Sequence, residues 1–297
     1  MENVRDIKAR IKSVREIYKI TRAMKLVATA KQKKLMLKVA DTAKYVEKID
    51  DLLLCSGKEV VRRFNPYFTP RHAGGKSLLV VVTADKGLCG SFNANLNRHA
   101  ANLLAQNPAD VYVVGKKGRN FFRKHTEINL IGETVDIFGK TSFRSCNKIM
   151  HDLKLKFLSG TYDSISVLYT HFESLGRQTI ITKQLLPIVA EPVKPESSDD
   201  DTATEPVPKI RRFMYESSAD AVFDELIEHY LDLQLYIILL ESELSEHITR
   251  MNAMDSATQN ASDLIDSLVL AYNRVRQAMI TTEILEIAGG AEAIKSS

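Results

Sequence analysis

The sequence predicts an α/β protein with a long coiled coil. N- and C-terminal helices form an antiparallel coiled coil, and between them lies a central Rossmann-like α/β domain with a mostly parallel sheet. Three observations carry this. Residues 209–288 contain neither Gly nor Pro, the two residues that interrupt helices most reliably. Residues 1–56 are likewise free of both. Between the two stretches, β-branched apolar runs alternate with helical patterns, the texture of strands joined by crossover helices.

The N-terminal helix is expected over residues 1–60. Val4, Ile7, Ile11, Val14 and Tyr18 repeat at three-four spacing, and Ile17, Ile20, Met24 and Val27 form an adjacent stripe that carries the face onward. Leu35, Val39, Thr42, Val46, Ile49 and Leu53 resume the period, so one narrow amphipathic seam is predicted. RRFNPYFTPRHAGG, residues 62–75, breaks it with two prolines and two glycines.

The α/β domain is expected over residues 76–190. Leu78–Thr83 is a buried strand by its β-branched run. It leads into the turn Ala84–Gly90 and a helix at about Ala94–Ala105. Asp110–Val114 is a second strand, followed by a glycine turn at Gly115 and Gly118. A helix follows over Ser142–Leu158, with strands at Ser164–Tyr169 and Thr179–Leu186. Residues 187–209 hold five of the chain's eight prolines beside a run of acids. Such a composition cannot bury enough apolar surface to order itself, so residues 191–208 are expected to form an acidic, Pro-rich mobile loop.

The C-terminal helix is expected over residues 209–290. From Leu240 a strict four-three walk runs through Leu244, His247, Met251, Met254, Thr258, Ala261, Ile265, Leu268, Tyr272, Val275, Met279 and Thr282. This is the sequence form of a left-handed coiled coil. A helix of that length measures roughly 120 Å at 1.5 Å per residue, more than one globular core can cover. Its methionines and small residues suit a lean, closely approached pair whose outside touches other surfaces, although ordinary coiled-coil imperfection accounts for them equally.

Bulk properties narrow the field. The 297 residues are 44% hydrophobic with no Trp, which suits a chain able to bury a core in one or two domains. No apolar run approaches the ~20 residues of a membrane span, and the N-terminus reads as neither a signal nor a transit peptide. Cys55, Cys89 and Cys146 are odd in number and form no CxxC pair, so a reducing compartment fits best, with neither a zinc site nor a disulfide framework. The net charge of +4 conceals a polarity. Residues 1–38 hold twelve Lys or Arg against three acids, and residues 216–297 hold four against fifteen. Opposite signs favour lengthwise pairing of the two helices. A nucleic-acid arm is the alternative, but the basic segment has one aromatic, Tyr18, and a continuous apolar seam.

Gly87 and Gly90 in ADKGLCGSFN follow a strand and precede a helix, where a phosphate-binding loop would sit. The pattern is neither G-x-G-x-x-G nor a P-loop, and a turn needing positive φ explains it. The seven histidines form no nucleophile-base arrangement. A catalytic role is not expected, although a nucleotide-binding α/β enzyme stays open as an alternative, as does a tropomyosin-like scaffold.

Four stretches carry a family resemblance: Ile7–Lys31 (IKARIKSVREIYKITRAMKLVATAK), Thr83–Leu96 (TADKGLCGSFNANL), Arg250–Ile265 (RMNAMDSATQNASDLI) and Tyr272–Ala293 (YNRVRQAMITTEILEIAGGAEA). Together they resemble the gamma subunit of F-type ATP synthases, the central rotor shaft. That resemblance implies a non-catalytic subunit, present once per complex, that binds no nucleotide, metal or nucleic acid of its own. It implies as partners the alpha and beta subunits of the catalytic hexamer, an epsilon- or delta-type stalk subunit and the membrane c-ring. Proton flow would turn ring and shaft together to drive ATP synthesis, and hydrolysis would drive the reverse. The implied location is peripheral, on the mitochondrial inner membrane or a bacterial cytoplasmic membrane; the initiating Met favours a bacterial chain. The resemblance further implies contact with the catalytic ring at Met24, Lys25, Arg276 and Gln277, a coupling-region position at Arg250, and a c-ring foot at Tyr215 and Glu216. Around that foot YESS stands where an acidic-proline pattern is common, and the preceding loop is longer and more acidic. The chloroplast form's cysteine-bearing insert has no counterpart, so thiol switching is not expected.

Overall fold

The computed structural model describes residues 3–56, 65–69, 75–188 and 219–295. The acidic loop 191–208, Tyr215 and Glu216 lie outside the described residues. The elements in order are α1 (Val4–Ser56), β1 (Ser77–Val82), α2 (Phe92–Gln106), β2 (Asp110–Val114), α3 (Lys116–Phe122), β3 (Leu130–Thr134), α4 (Phe143–Leu158), β4 (Ser164–Phe172), β5 (Gln178–Leu186) and α5 (Ala219–Lys295). Two units divide the chain. One comprises Met1–Lys31, Leu88–Gly90 and Ile248–Ser297; the other comprises Gln32–Gly87 and Ser91–His247. Each long helix contributes to both.

The α/β unit is organised on a five-stranded sheet of order β3-β2-β1-β4-β5. β1 pairs parallel with β2 and β4, and β2 pairs parallel with β3. β5 closes the edge antiparallel to β4, so the sheet is mostly parallel, as expected. β1 is buried on both faces, which is why SLLVVV reads as an unbroken apolar run. Leu79 and Val81 face Leu96, Ala100, Leu104 and Phe122 of α2 and α3. Leu78, Val80 and Val82 face a larger core with Ile149, Met150, Leu153 and Phe157 of α4 and with Leu231, Leu235, Ile238 and Leu239 of α5.

Two elements escaped the periodicity, α3 and β3. Gly115 and Gly118, read as a glycine turn, flank the start of α3. Gly115 has φ +102, and a Cβ there would sit 2.0 Å from the Thr83 carbonyl oxygen. Thr83 Oγ1 accepts from the Gly118 amide at 2.8 Å and donates to the Val114 carbonyl at 3.0 Å. The glycines therefore let β2 and α3 close onto Thr83. In β3, Gly132 gives room to the Tyr112 ring, which a Cβ would meet at 2.6 Å; a five-residue strand with that gap shows no clear alternation.

The α1 seam corrects the expected path. Ile17, Ile20 and Val27 are 50%, 58% and 57% exposed, so the adjacent stripe is not the buried one. Burial instead runs through Ile7, Ile11, Val14, Tyr18, Thr21, Lys25, Ala28, Gln32, Leu35, Val39, Thr42, Val46, Ile49 and Leu53, each buried or half-buried. That is one unbroken heptad track. Polar and small residues carry its middle, which is why a search for large apolar residues drifts sideways at Ile17.

The C-terminal seam changes character along its length. From Leu231 to Ile248 every α5 residue is buried or half-buried, on all sides, the condition of a helix threaded through a core. Leu240, Leu244 and His247 thus lie in an enclosed helix rather than a two-stranded seam. Beyond Ile248 burial narrows to a stripe at Met254, Ala261 and Leu268, and Met279 and Thr282 are exposed.

Candidate functional site

The helical unit is built from one face of α1 and one of α5. Ile7, Ile11 and Val14 cluster with Ala261 and Leu268, and Tyr18, Ile265, Val269, Tyr272 and Val275 pack against them. Further along, Thr258 Oγ1 donates to Thr21 Oγ1 at 2.9 Å, and Lys25 Nζ lies 2.5 Å from Asp255. Rising numbers on α1 meet falling numbers on α5, so the pair is antiparallel. Their heptads meet at Thr21 and Thr258, a layer of two small hydroxyl residues joined by a hydrogen bond. Lys25–Asp255 joins the basic helix to the acidic one, while Lys8, Lys12, Arg15, Lys19 and Arg22 point outward. The charge polarity is thus presented largely on the outside of the pair.

The turn Leu88–Gly90 belongs to this unit. Gly90 has φ +56, and a Cβ there would lie 3.6 Å from Thr249 and Ala253 of α5. Leu88 takes φ +60 with its side chain 63% exposed, and Cys89 is buried. The positive φ expected of this turn falls on Leu88 and Gly90; Gly87 has none.

The candidate residues fall at separate stations. Met24 and Lys25 are half-buried beside the α5 segment that carries Asp255. Arg250 is buried one turn before Asp255. Arg276 and Gln277 are exposed and lie about 30 Å further along α5 at 1.5 Å per residue. The structure does not gather them into one pocket. Asp255, Thr21 and Thr258 join the pair without being among the site residues that the sequence suggests. Thr258 stands in the heptad walk, and Asp255 is the acid that follows Met254 in it, so both carried a usable signal. Past Val275 the helix is exposed all round through Gly289, with Met279, Ile280, Ile284, Leu285 and Ile287 between 46% and 73% accessible.

At the carboxyl end of the sheet, where an α/β fold would take a phosphate, Asp85 occupies the donors. Its Oδ1 accepts from the Lys116 and Asp136 amides at 3.0 Å each, and its Oδ2 accepts from the Phe138 amide at 3.2 Å. The turn is closed by its own carboxylate. Among the described residues no group of three or more His, Cys, Asp or Glu is placed to hold a metal ion. Cys89 and Cys146 are buried and take part in no disulfide. Burial, then Asp232 and Glu243, pushes the Cys146 thiol up to about 12. Among the described residues no helix is long and apolar enough to cross a membrane.

A unit built on an antiparallel pair of long helices and a unit built on a mostly parallel sheet together define a class of coiled-coil α/β proteins. Comparison with known proteins specifies it. The ATP synthase family profile matches residues 3–294. The ATP synthase gamma chain of Chloroherpeton thalassium is 37% identical over 305 residues, covering all of both chains. That of Halothermothrix orenii is 38% identical over 296 residues, covering 99% of this chain and all of the relative. The chain belongs to the ATP synthase gamma-chain family. In fold it is similar to a chain of the Euglena gracilis mitochondrial ATP synthase, in a structure of OSCP, F1 and c-ring, with a TM-score of 0.69 at 18% identity over 98% of this chain and 94% of that one. It is also similar to a chain of the Tetrahymena thermophila mitochondrial ATP synthase central stalk and c-ring, with a TM-score of 0.60 at 24% identity over 80% and 99%.

Proposed function

We propose that this chain is the turning shaft of a rotary ATP synthase, carrying torque between a membrane c-ring and three catalytic beta subunits. The observation that supports it best is the overrun of α5. α1 begins at Val4 and Val275 is the last α5 residue packed in the cluster that begins with Ile7, so some twenty residues of helix continue unpaired. Their exposed Met, Ile and Leu side chains would be costly in water over such a length, and an enclosing ring of alpha and beta subunits would cover them. Arg276 and Gln277 at the root of this overrun, with Met24 and Lys25 further along the pair, are the ring-facing residues of this reading. The exposed stripe Ile17, Ile20 and Val27 flanks Met24 and belongs to the same surface. Arg250 holds the coupling region, and Tyr215 and Glu216 face the c-ring together with an epsilon- or delta-type subunit. The protein would sit peripherally on an energy-transducing membrane, one copy per complex, with working limits of 1–60, 76–190, 191–208 and 209–290 for its parts. Coupling arises because the shaft's unlike sides stabilise different states of the three beta subunits in turn.

A cleavable cross-link tests it. Gln277→Cys, tied to a cysteine on the catalytic ring in the assembled enzyme, should stop ATP hydrolysis, and cleaving the tie should restore the rate of the untied variant. Turnover that continues with the tie intact overturns the rotor reading.

A further inference from the structure

The enclosed part of α5, residues 231–248, is buried or half-buried on all sides, its first half mostly apolar and its second half rich in polar residues, and apolar contact is non-directional. Close packing holds such a helix in its core and resists its turning. Polar bonds supply direction, and they come from different elements. Asp232 is paired with Lys154 of α4 at 2.8 Å and accepts from Asn147 at 2.6 Å. Glu243 accepts from the Gly139 amide at 2.9 Å and from the Thr141 hydroxyl. Gln234 accepts from Lys183 of β5 at 2.7 Å, and Glu241 bonds His171 of β4 at 2.7 Å. Ser245 donates to the Thr170 carbonyl at 3.3 Å.

Their azimuths are not random. At about 100° per residue, Asp232 and Glu243 fall within about 20° of one another, whereas Gln234, Glu241 and Ser245 lie about 160–220° away. The anchors occupy two opposite faces of the helix and extend over roughly 20 Å of its axis.

We propose that these opposed anchors form a mechanical couple, through which the α/β layers grip α5 against rotation and pass torque into it. Restraints on opposite sides of an axis pass a pure twist, whereas restraints on one side alone pass the twist together with a sideways push that favours slipping. The proposal rests on the rotor reading above and names positioning residues for it; none of them touches a reacting group. Each charge-assisted bond lost raises the population of a rolled or slipped helix about tenfold or more, a deficit that shows under load.

The test uses the membrane-embedded enzyme with the full chain. Glu241→Gln with Glu243→Gln weakens one anchor on each face; Asp232→Asn with Glu243→Gln weakens two on one face. With the gradient collapsed, hydrolysis per assembled complex should match wild type in both. The largest proton gradient that hydrolysis can sustain should fall several-fold in the same-face variant, which leaves anchors on one side only, and clearly less in the opposed-face variant, which keeps Asp232 against Gln234 and Ser245. An undiminished gradient in the same-face variant overturns the couple. So does an equal fall in both variants, or one that merely follows the amount of assembled complex, since those are the marks of ordinary stability contacts. The Gln277→Cys tie, run on the same membranes, reports on the rotor reading independently: a blocked tied enzyme with load-tolerant anchor variants refutes the couple alone.

Discussion

Lys154→Met isolates the energetic weight of a buried charge. The ammonium lies 2.8 Å from Asp232 and donates to the Glu228 carbonyl at 2.8 Å, and the two side chains of the pair are 8% and 9% exposed. Methionine keeps most of the aliphatic stem, so packing changes little. What changes is that Asp232 stays buried with only Asn147 among its polar partners named above. Breaking a buried pair from one side costs about 3–5 kcal/mol, and the surviving Asn147 bond places this case near ~3 kcal/mol. That corresponds to an increase of roughly a hundredfold in local opening. Amide hydrogen exchange across Leu231–Leu235 in the full chain reads it directly. The double variant Lys154→Met with Asp232→Leu should recover most of the protection, because no orphan charge remains. Exchange in the single variant at the wild-type rate would refute the reasoning, and so would a double variant no better protected than the single.

Two further outcomes follow from local chemistry. Cys146, raised from its usual value of about 9 to about 12, keeps its proton in the fold where the unfolded chain loses it. Its contribution to stability is therefore complete below about pH 9 and is lost as the pH climbs towards 12. Thiol alkylation at pH 8–9 should run at least a hundredfold slower on the folded chain than after denaturation. Gly115→Ala must place a Cβ 2.0 Å from a backbone oxygen at φ +102. A loss of several kcal/mol is expected, since strain and overlap each cost about 1–3, seen as a lowered unfolding temperature. Gly139→Ala, whose Cβ meets nothing within 4 Å, should cost only the strain of its positive φ.

The long helices were legible because period is a global property: one face must stay buried over many turns, and chance rarely sustains that. The sheet was legible where strands are buried on both sides, as in Ser77–Val82. Legibility failed where a polar residue does structural work. Thr21, Lys25 and Gln32 continue the α1 track but are not apolar, so an apolar pattern leaps to Ile17 and Ile20, which lie open. The same holds for Glu241 and Glu243, where a carboxylate in an amphipathic pattern suggests a solvated face. Their partners on β4 and in the loop after β3 are about 70 and 100 residues away in sequence, a separation no local pattern encodes. Of the candidate site, Lys25 acquired a visible partner. Arg276 and Gln277 acquired an exposed position and nothing more.

The unbroken track of α1 restricts how that helix could ever be altered. Each residue added or removed turns everything beyond it by about 100° and shifts it by 1.5 Å. A single deletion near Lys33 would swing Leu35, Val39, Val46, Ile49 and Leu53 together out of their buried line. Changes of seven restore the phase almost completely, and changes of three or four leave a local defect. The helix therefore has a quantised length, and a ladder of insertions through this stretch should alternate between folded and misfolded chains with a period of seven.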